Sequence, residues 1–252
     1  MTETMSEQAA ASARWEKAPL EDYAVGDAVH IWRVNLASKT GPLRPTTDIL
    51  GDEEHVRAAR LRRPADRDRY VAAHSAMRVI LARYLNMLPE RIRFQASAQG
   101  KPGLAPGLDS GRLRFNLAHS GDLALVAVAA GREVGVDVEH FRPLPEVAPI
   151  AERYFSASER EALAQLAEAE RPAAFFNIWA CKEAFIKATG QGLSYPLQGF
   201  SVPLVPVVGQ RPARVQTGTG QDWGLRPLAA GAGYAGAVVG EGLIWELRLW
   251  QY

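Results

Sequence analysis

The order strand, long helix, small-residue strand occurs twice along this chain, and that repetition narrows the possible folds more than any other feature. Hydrophobic patterning predicts a strand at 29–36, a helix at 68–85 and an Ala/Val-rich strand at 123–129, then counterparts at 133–139, 172–189 and 234–239. The first two elements recur at an offset of roughly 105 residues and the third at slightly more, the mark of an internal duplication. The expected fold class is therefore α+β, with two similar α/β halves and a ligand cleft between them. An aperiodic Ala-, Ser- and Glu-rich stretch suggests a flexible tail over residues 1–19, ahead of halves at 20–131 and 132–252. The Pro- and Gly-rich stretch 201–233 reads as edge strands and loops of the second half.

Composition removes several classes of function. With 47% hydrophobic and 23% charged residues in 252, the chain can bury a core of one large or two small domains. A formal net charge of +1 gives no strong global positive field, so nucleic acid is not an expected partner. No positively charged segment leads an apolar run in residues 1–19, and nowhere do eighteen apolar residues follow one another. No membrane partner is expected, and a cytoplasmic location is. The single cysteine, Cys181, precludes an internal disulfide and a cysteine-based zinc cage, and its place in an apolar helical stripe marks it as core.

Three short stretches carry the chemistry. In the first, 179–190, Glu183 and Lys187 stand four apart and share a helix face with Trp179. Phe175, Ile178, Cys181, Ala184, Phe185 and Ala188 form an apolar stripe, and Gly190 stands where a helix commonly ends. Alone, Glu183 and Lys187 would be a solvated surface pair. In the second, 134–139, strand alternation puts Asp137 and Glu139 on one face and Val136 and Val138 on the other. A lone Asp-x-Glu usually faces solvent, but a third acid, Glu183, in the same half makes an oxygen set of the kind Mg²⁺ prefers, which implies a phosphate-bearing substrate. In the third, 114–121, a strand ends on His119 before a Ser-Gly turn. Upstream lie Arg57, Arg60, Arg62, Arg63, Arg67 and Arg69, then Gly100-Lys101-Pro102. Most of these arginines suit a solvated helix face, although guanidinium forks also suit phosphate.

Taken together and in order, 115–121, 135–139 and 179–187, with Gly100-Lys101-Pro102 ahead of them, resemble the 4′-phosphopantetheinyl transferases of the Sfp type. The resemblance covers the chain from about Ala28 onward, and its length and duplication look like the pseudo-dimeric monomers of that family. It implies that Asp137, Glu139 and Glu183 hold Mg²⁺ against the pyrophosphate of the co-substrate coenzyme A. It implies Glu183 as general base and Lys187 as the cation on phosphate oxygens, with Lys182 flanking them. His119 matches the position on the nucleotide 3′-phosphate, Arg69 and Lys101 match basic nucleotide-binding positions, and Arg57 and Arg60 are weaker matches.

Two departures stand out: Ala118 where many members carry a hydroxyl residue, and Glu54 where the basic cluster would begin. The implied partners are apo acyl carrier or peptidyl carrier domains of polyketide and nonribosomal-peptide assembly. The stretch from Phe141-Arg142-Pro143-Leu144-Pro145 through Tyr154-Phe155 could dock them or fill the core. Two other classes share these features. One is a different Mg²⁺-dependent enzyme cleaving phosphoanhydrides, and the other a noncatalytic carrier-binding module on the same scaffold.

Overall fold

The computed structural model describes residues 15–19, 23–37, 46–109, 111–143, 147–204, 212–215 and 220–252. Strands β1 (Glu16–Lys17) and β2 (Val29–Asn35) precede helices α1 (Asp52–Arg60) and α2 (Pro64–Leu85). A small hairpin, β3 (Phe94–Ala96) and β4 (Pro102–Leu104), leads to β5 (Leu113–Ser120) and β6 (Leu123–Ala130). The chain then runs through β7 (Val134–His140), α3 (Val147–Tyr154), α4 (Ala157–Gln165) and α5 (Arg171–Thr189). It finishes with β8 (Ala213–Val215), β9 (Trp223–Leu228), β10 (Tyr234–Glu241) and β11 (Leu247–Gln251).

Strand pairing repeats as the sequence suggests. In the first sheet β6 lies antiparallel between β2 and β5, and in the second β10 lies antiparallel between β7 and β9. The long helices α2 and α5 hold the matching places in chain order, and the fold is α+β. Alternation then distributes the core. Leu123, Leu125, Ala127 and Ala129 of β6 meet Val134, Val136 and Val138 of β7 in one cluster between the sheets. Ala124, Val126 and Val128 of β6 face the cluster that contains Ala73, Met77 and Ile80 of α2. With both faces covered, β6 has no reason to alternate polar with apolar residues.

The sheets meet along the edge strands β5 and β7, where side chains replace a backbone ladder. Asn116 Oδ1 accepts from the Val136 amide at 2.9 Å, and Ser120 Oγ accepts from the His140 amide at 3.0 Å. The other face of β7 lies under α5. A Cβ on Gly135 would come within 2.2 Å of the Ala184 carbonyl oxygen and 2.3 Å of the Ala188 nitrogen, so only glycine lets the helix come this close. All six members of the expected α5 stripe are buried, and Gly190 caps the helix in the left-handed conformation at φ 71°. Each large side chain so buried contributes about 1.5–3 kcal/mol.

Three boundaries differ from expectation. α2 starts at Pro64 rather than 68, because proline suits the first helical position, where an amide would lack a partner. The segment expected to belong to a tail is partly built in: β1 pairs parallel with β11, and Trp15 Nε1 donates to the Ala229 carbonyl at 2.7 Å. Residues 1–14 lie outside the described residues. Nor does the second half keep its own end. β11 pairs parallel with β2 and so extends the first sheet, using the otherwise open edge of that strand. Among the described residues no helix is long and apolar enough to cross a membrane.

Candidate active site

Because α5 rests on β7, the alternate residues of β7 that face the helix come up against its acidic and basic side chains. Asp137 is only 4% exposed, and its Oδ1 accepts from Lys187 Nζ at 2.5 Å. Its Oδ2 is buried without a hydrogen-bond partner. Burial pushes the Asp137 carboxyl up to about 7 against the pull of Lys187, and Glu139 and Glu183 add to the rise. Glu183 is half-buried and also raised, by burial first and then by Glu139, with Lys187 opposing. Burial alone would depress Lys187, but Asp137, Glu183 and Glu139 outweigh it and hold the ammonium charged. Three carboxylates thus share one lysine, a surplus of negative charge in a partly dry place.

That surplus fits a cation in its chemistry, though not as a finished cage. Among the described residues no ready-made group of three metal-binding side chains is gathered. Asp137 Oδ1 is taken by Lys187, while Glu139 Oε2 accepts from Arg142 and Ser120, each at 3.1 Å. The unpartnered Asp137 Oδ2 is the atom that asks for a cation, since a buried carboxylate oxygen with no donor carries an unrelieved desolvation cost.

Lys187 also lines a cavity of about 800 Å³ whose remaining wall comes from the first half. Arg57, Arg69, Tyr70, His74 and His119 contribute to that wall. Arg69 is held by Asp122 at 2.8 Å and lies 3.6 Å from Asp66. His119 ends β5 at the cavity surface. Partial desolvation, then His74, Lys187, Arg57 and Arg69, pull its imidazole below the usual value. An anion placed there would remove that mutual repulsion.

Five expected site residues, Asp137, Glu139, Glu183, Lys187 and His119, therefore come together, with Arg57 and Arg69 on the same cavity. Two lysines do not join them, and the structure corrects their expected substrate contacts. Lys101 Nζ spends its donors on Glu133 Oε2 at 2.6 Å, Ala188 O at 2.7 Å and Val134 O at 3.2 Å, clamping the end of α5 to the start of β7. Lys182 is fully buried and donates to Leu197 O at 2.7 Å and Phe200 O at 2.9 Å, with Glu159 Oε2 at 2.9 Å. One residue is about 100° around a helix, so Lys182 cannot share a face with Glu183. Arg60 is exposed and is not part of the cavity wall.

The proposed docking stretch also divides. Phe155 is fully buried and Phe141 stacks on Phe176 with centroids 5.6 Å apart, so these aromatics serve the core, whereas Arg142 stays exposed. Leu144 and Pro145 lie outside the described residues. Sequence reading missed Ser120. Its hydroxyl donates to Glu139 Oε2 and takes the His140 amide, yet the residue showed only as a turn signal.

A duplicated α+β protein with a carboxylate–lysine site opening on a basic cavity is the class that fold and site define. Comparison with known proteins narrows it. The family described as "4'-phosphopantetheinyl transferase superfamily" matches residues 133–239, and that described as "4'-phosphopantetheinyl transferase, N-terminal" matches 40–131. Their junction falls between β6 and β7, where the halves divide. The 4′-phosphopantetheinyl transferase HetI of Nostoc sp. is 34% identical over 238 residues, spanning 94% of this chain and 98% of that protein. Sfp of Bacillus subtilis is 32% identical over 156 residues, 62% of this chain and 67% of Sfp. AcpT of Salmonella typhi is 40% identical over 123 residues, covering 47% and 59%. The chain belongs to the 4′-phosphopantetheinyl transferase family and is an enzyme of that class.

Proposed function

We propose that this enzyme moves 4′-phosphopantetheine from coenzyme A to a serine hydroxyl of an apo acyl or peptidyl carrier domain. The observation that carries the reading is Asp137, buried with one oxygen on Lys187 and the other unpartnered, beside a basic cavity that Lys187 also lines. Asp137, Glu139 and Glu183 would hold Mg²⁺. When bound, the ion supplies charge neutralisation at the pyrophosphate oxygens.

The chain's own groups do the rest. Arg57, Arg69 and His119 hold the nucleotide phosphates in the cavity. Lys187, charged because three carboxylates surround it, donates to pyrophosphate oxygens as negative charge builds on the leaving group. Glu183, lifted above an ordinary carboxylate by burial, takes the serine proton. General-base help of this kind is typically worth about 10² to 10⁴ in rate. The serine oxygen bonds to the β-phosphorus, and the bond from that phosphorus to the bridging oxygen breaks. Adenosine 3′,5′-bisphosphate departs with the bond's electron pair. Exposed Arg142, which reaches Glu139, places the carrier's acidic helix next to the reacting serine.

Mass spectrometry of an apo-carrier incubated with the enzyme, coenzyme A and Mg²⁺ tests the reading. The carrier should gain one phosphopantetheine group. Cleavage of coenzyme A with no gain on the carrier would replace this reading with phosphoanhydride hydrolysis.

A further inference from the structure

Glu54 breaks the run of basic residues in sequence, and in the fold it belongs to the cavity wall but is buried and paired. It stands at the third position of α1 and is 7% exposed. Its Oε2 accepts from Arg78 Nε at 2.6 Å and from the Gly51 amide at 2.8 Å, while Oε1 lies 2.7 Å from His74 Nδ1. Arg78 is itself fixed, because it is 2% exposed and its Nη1 donates to the carbonyls of Pro89 and Ile92 at 2.9 and 3.1 Å. The carboxylate is thus anchored before it reaches the histidine.

The histidine is held on two sides. Its Nδ1 faces Glu54, and its ring stacks on Tyr70 with centroids 4.0 Å apart and planes 26° from parallel. Nε2 is left without a protein partner among the described residues, on a ring that lines the same cavity as His119, Arg57 and Arg69. Arg78 and the Gly51 amide both donate to Oε2, and His74 serves Oε1 through Nδ1, which leaves the role of Nε2 unaccounted for. A plain aromatic ring would stack on Tyr70 equally well.

We propose that His74, oriented by Glu54, is a second imidazole contact for the nucleotide 3′-phosphate, acting beside His119. This rests on the coenzyme A reading above. A carboxylate at Nδ1 fixes the orientation of the ring and leaves Nε2 as the nitrogen open to a ligand, as in histidines that serve metals and catalytic oxygens. His74 and His119 line the same cavity, so a phosphate bound there has both imidazoles on its wall. The acids on the cavity wall do not cancel the site: Glu54 is neutralised by Arg78, and Asp66 lies 3.6 Å from Arg69. Glu53 is exposed at its edge.

The test is calorimetric titration of adenosine 3′,5′-bisphosphate and of adenosine 5′-monophosphate into wild type, His74→Ala and His74→Phe at one ionic strength. The phenylalanine keeps the stack on Tyr70 and removes the donors. Both variants should lose about tenfold in affinity for the bisphosphate, the scale of one hydrogen bond to a charged group, and bind the monophosphate as wild type does. In turnover, KM for coenzyme A should rise about tenfold with kcat little changed, and KM for 3′-dephospho-coenzyme A should not move. Equal losses for both nucleotides, or no loss in His74→Phe, would overturn the proposal. A wild type that shows the nucleotide pattern but never modifies a carrier refutes the transfer reading and leaves the phosphate contact standing.

Discussion

Helix α5 carries two buried lysine–carboxylate pairs five residues apart, and they are built to opposite ends. Lys182 meets Glu159 at 2.9 Å with both side chains essentially inaccessible, 0% and 1% exposed. Every donor and acceptor there is used. Lys182 also takes the carbonyls of Leu197 and Phe200, and Glu159 takes the amides of Ser156 and Val202, each at 2.7 Å. Lys187 meets Asp137 at 2.5 Å but is 30% exposed, and the second oxygen of Asp137 has no partner. One pair locks α4 and the 197–202 loop to the helix. The other is left short of positive charge at the mouth of a cavity. A satisfied buried pair specifies structure, while an unsatisfied one stores a cost that a ligand can relieve.

The largest break in this comparison is Asp137→Ala, or Glu183→Gln. Either should lower carrier modification by about 10³-fold or more while the unfolding temperature is unchanged or higher, because the variant removes crowded charge. Scanning calorimetry beside the mass assay checks both halves of that statement. Lys182→Met should do the reverse. It strands Glu159 in the core at a cost of about 3–5 kcal/mol, yet the folded fraction should keep its KM for coenzyme A. Denaturant titration reads the loss, and near-wild-type stability would mean that the pair is not the lock described.

A pH series sharpens the contrast from the first half. His30 is buried, with Nδ1 2.8 Å from the Tyr84 hydroxyl, and burial, then Arg248, lowers its imidazole to about 4. The folded state therefore resists a proton that the unfolded chain accepts near its ordinary value. That stability is complete above about pH 6.5 and is lost as pH falls through about 4, to a limit of about 3 kcal/mol. His30→Phe should flatten this part of the curve, and an unchanged slope would reassign the acid sensitivity. The smallest effect belongs to Ser120→Ala. Glu139 loses one of its two anchoring donors, and kcat should fall by about two- to tenfold with little change in stability.

Much of this site is legible in sequence, and what is legible follows from local geometry. Strand alternation alone sets Asp137 and Glu139 on one face of β7, and helical periodicity sets Glu183 and Lys187 on one face of α5. Why Gly135 stands next to them shows only in the fold, where the helix approaches too closely for a Cβ. What stays hidden depends on distant partners. Nothing near Lys182 in the chain announces Glu159, and nothing near Lys101 announces the carbonyl of Ala188 at the end of α5. Their charge suggested phosphate, but the fold spends it internally.

By itself the sequence determined the duplication, the two long helices, the alternation of the β7 strand and the acids it displays, because these depend on periods of two and 3.6 residues. Only the tertiary structure decided which charges remain available. It turned Glu54 from a misplaced acid into the anchor of His74, and it returned β11 from the second half to the edge of the first sheet. Burial and partner geometry govern both outcomes, and those are properties of neighbours in space.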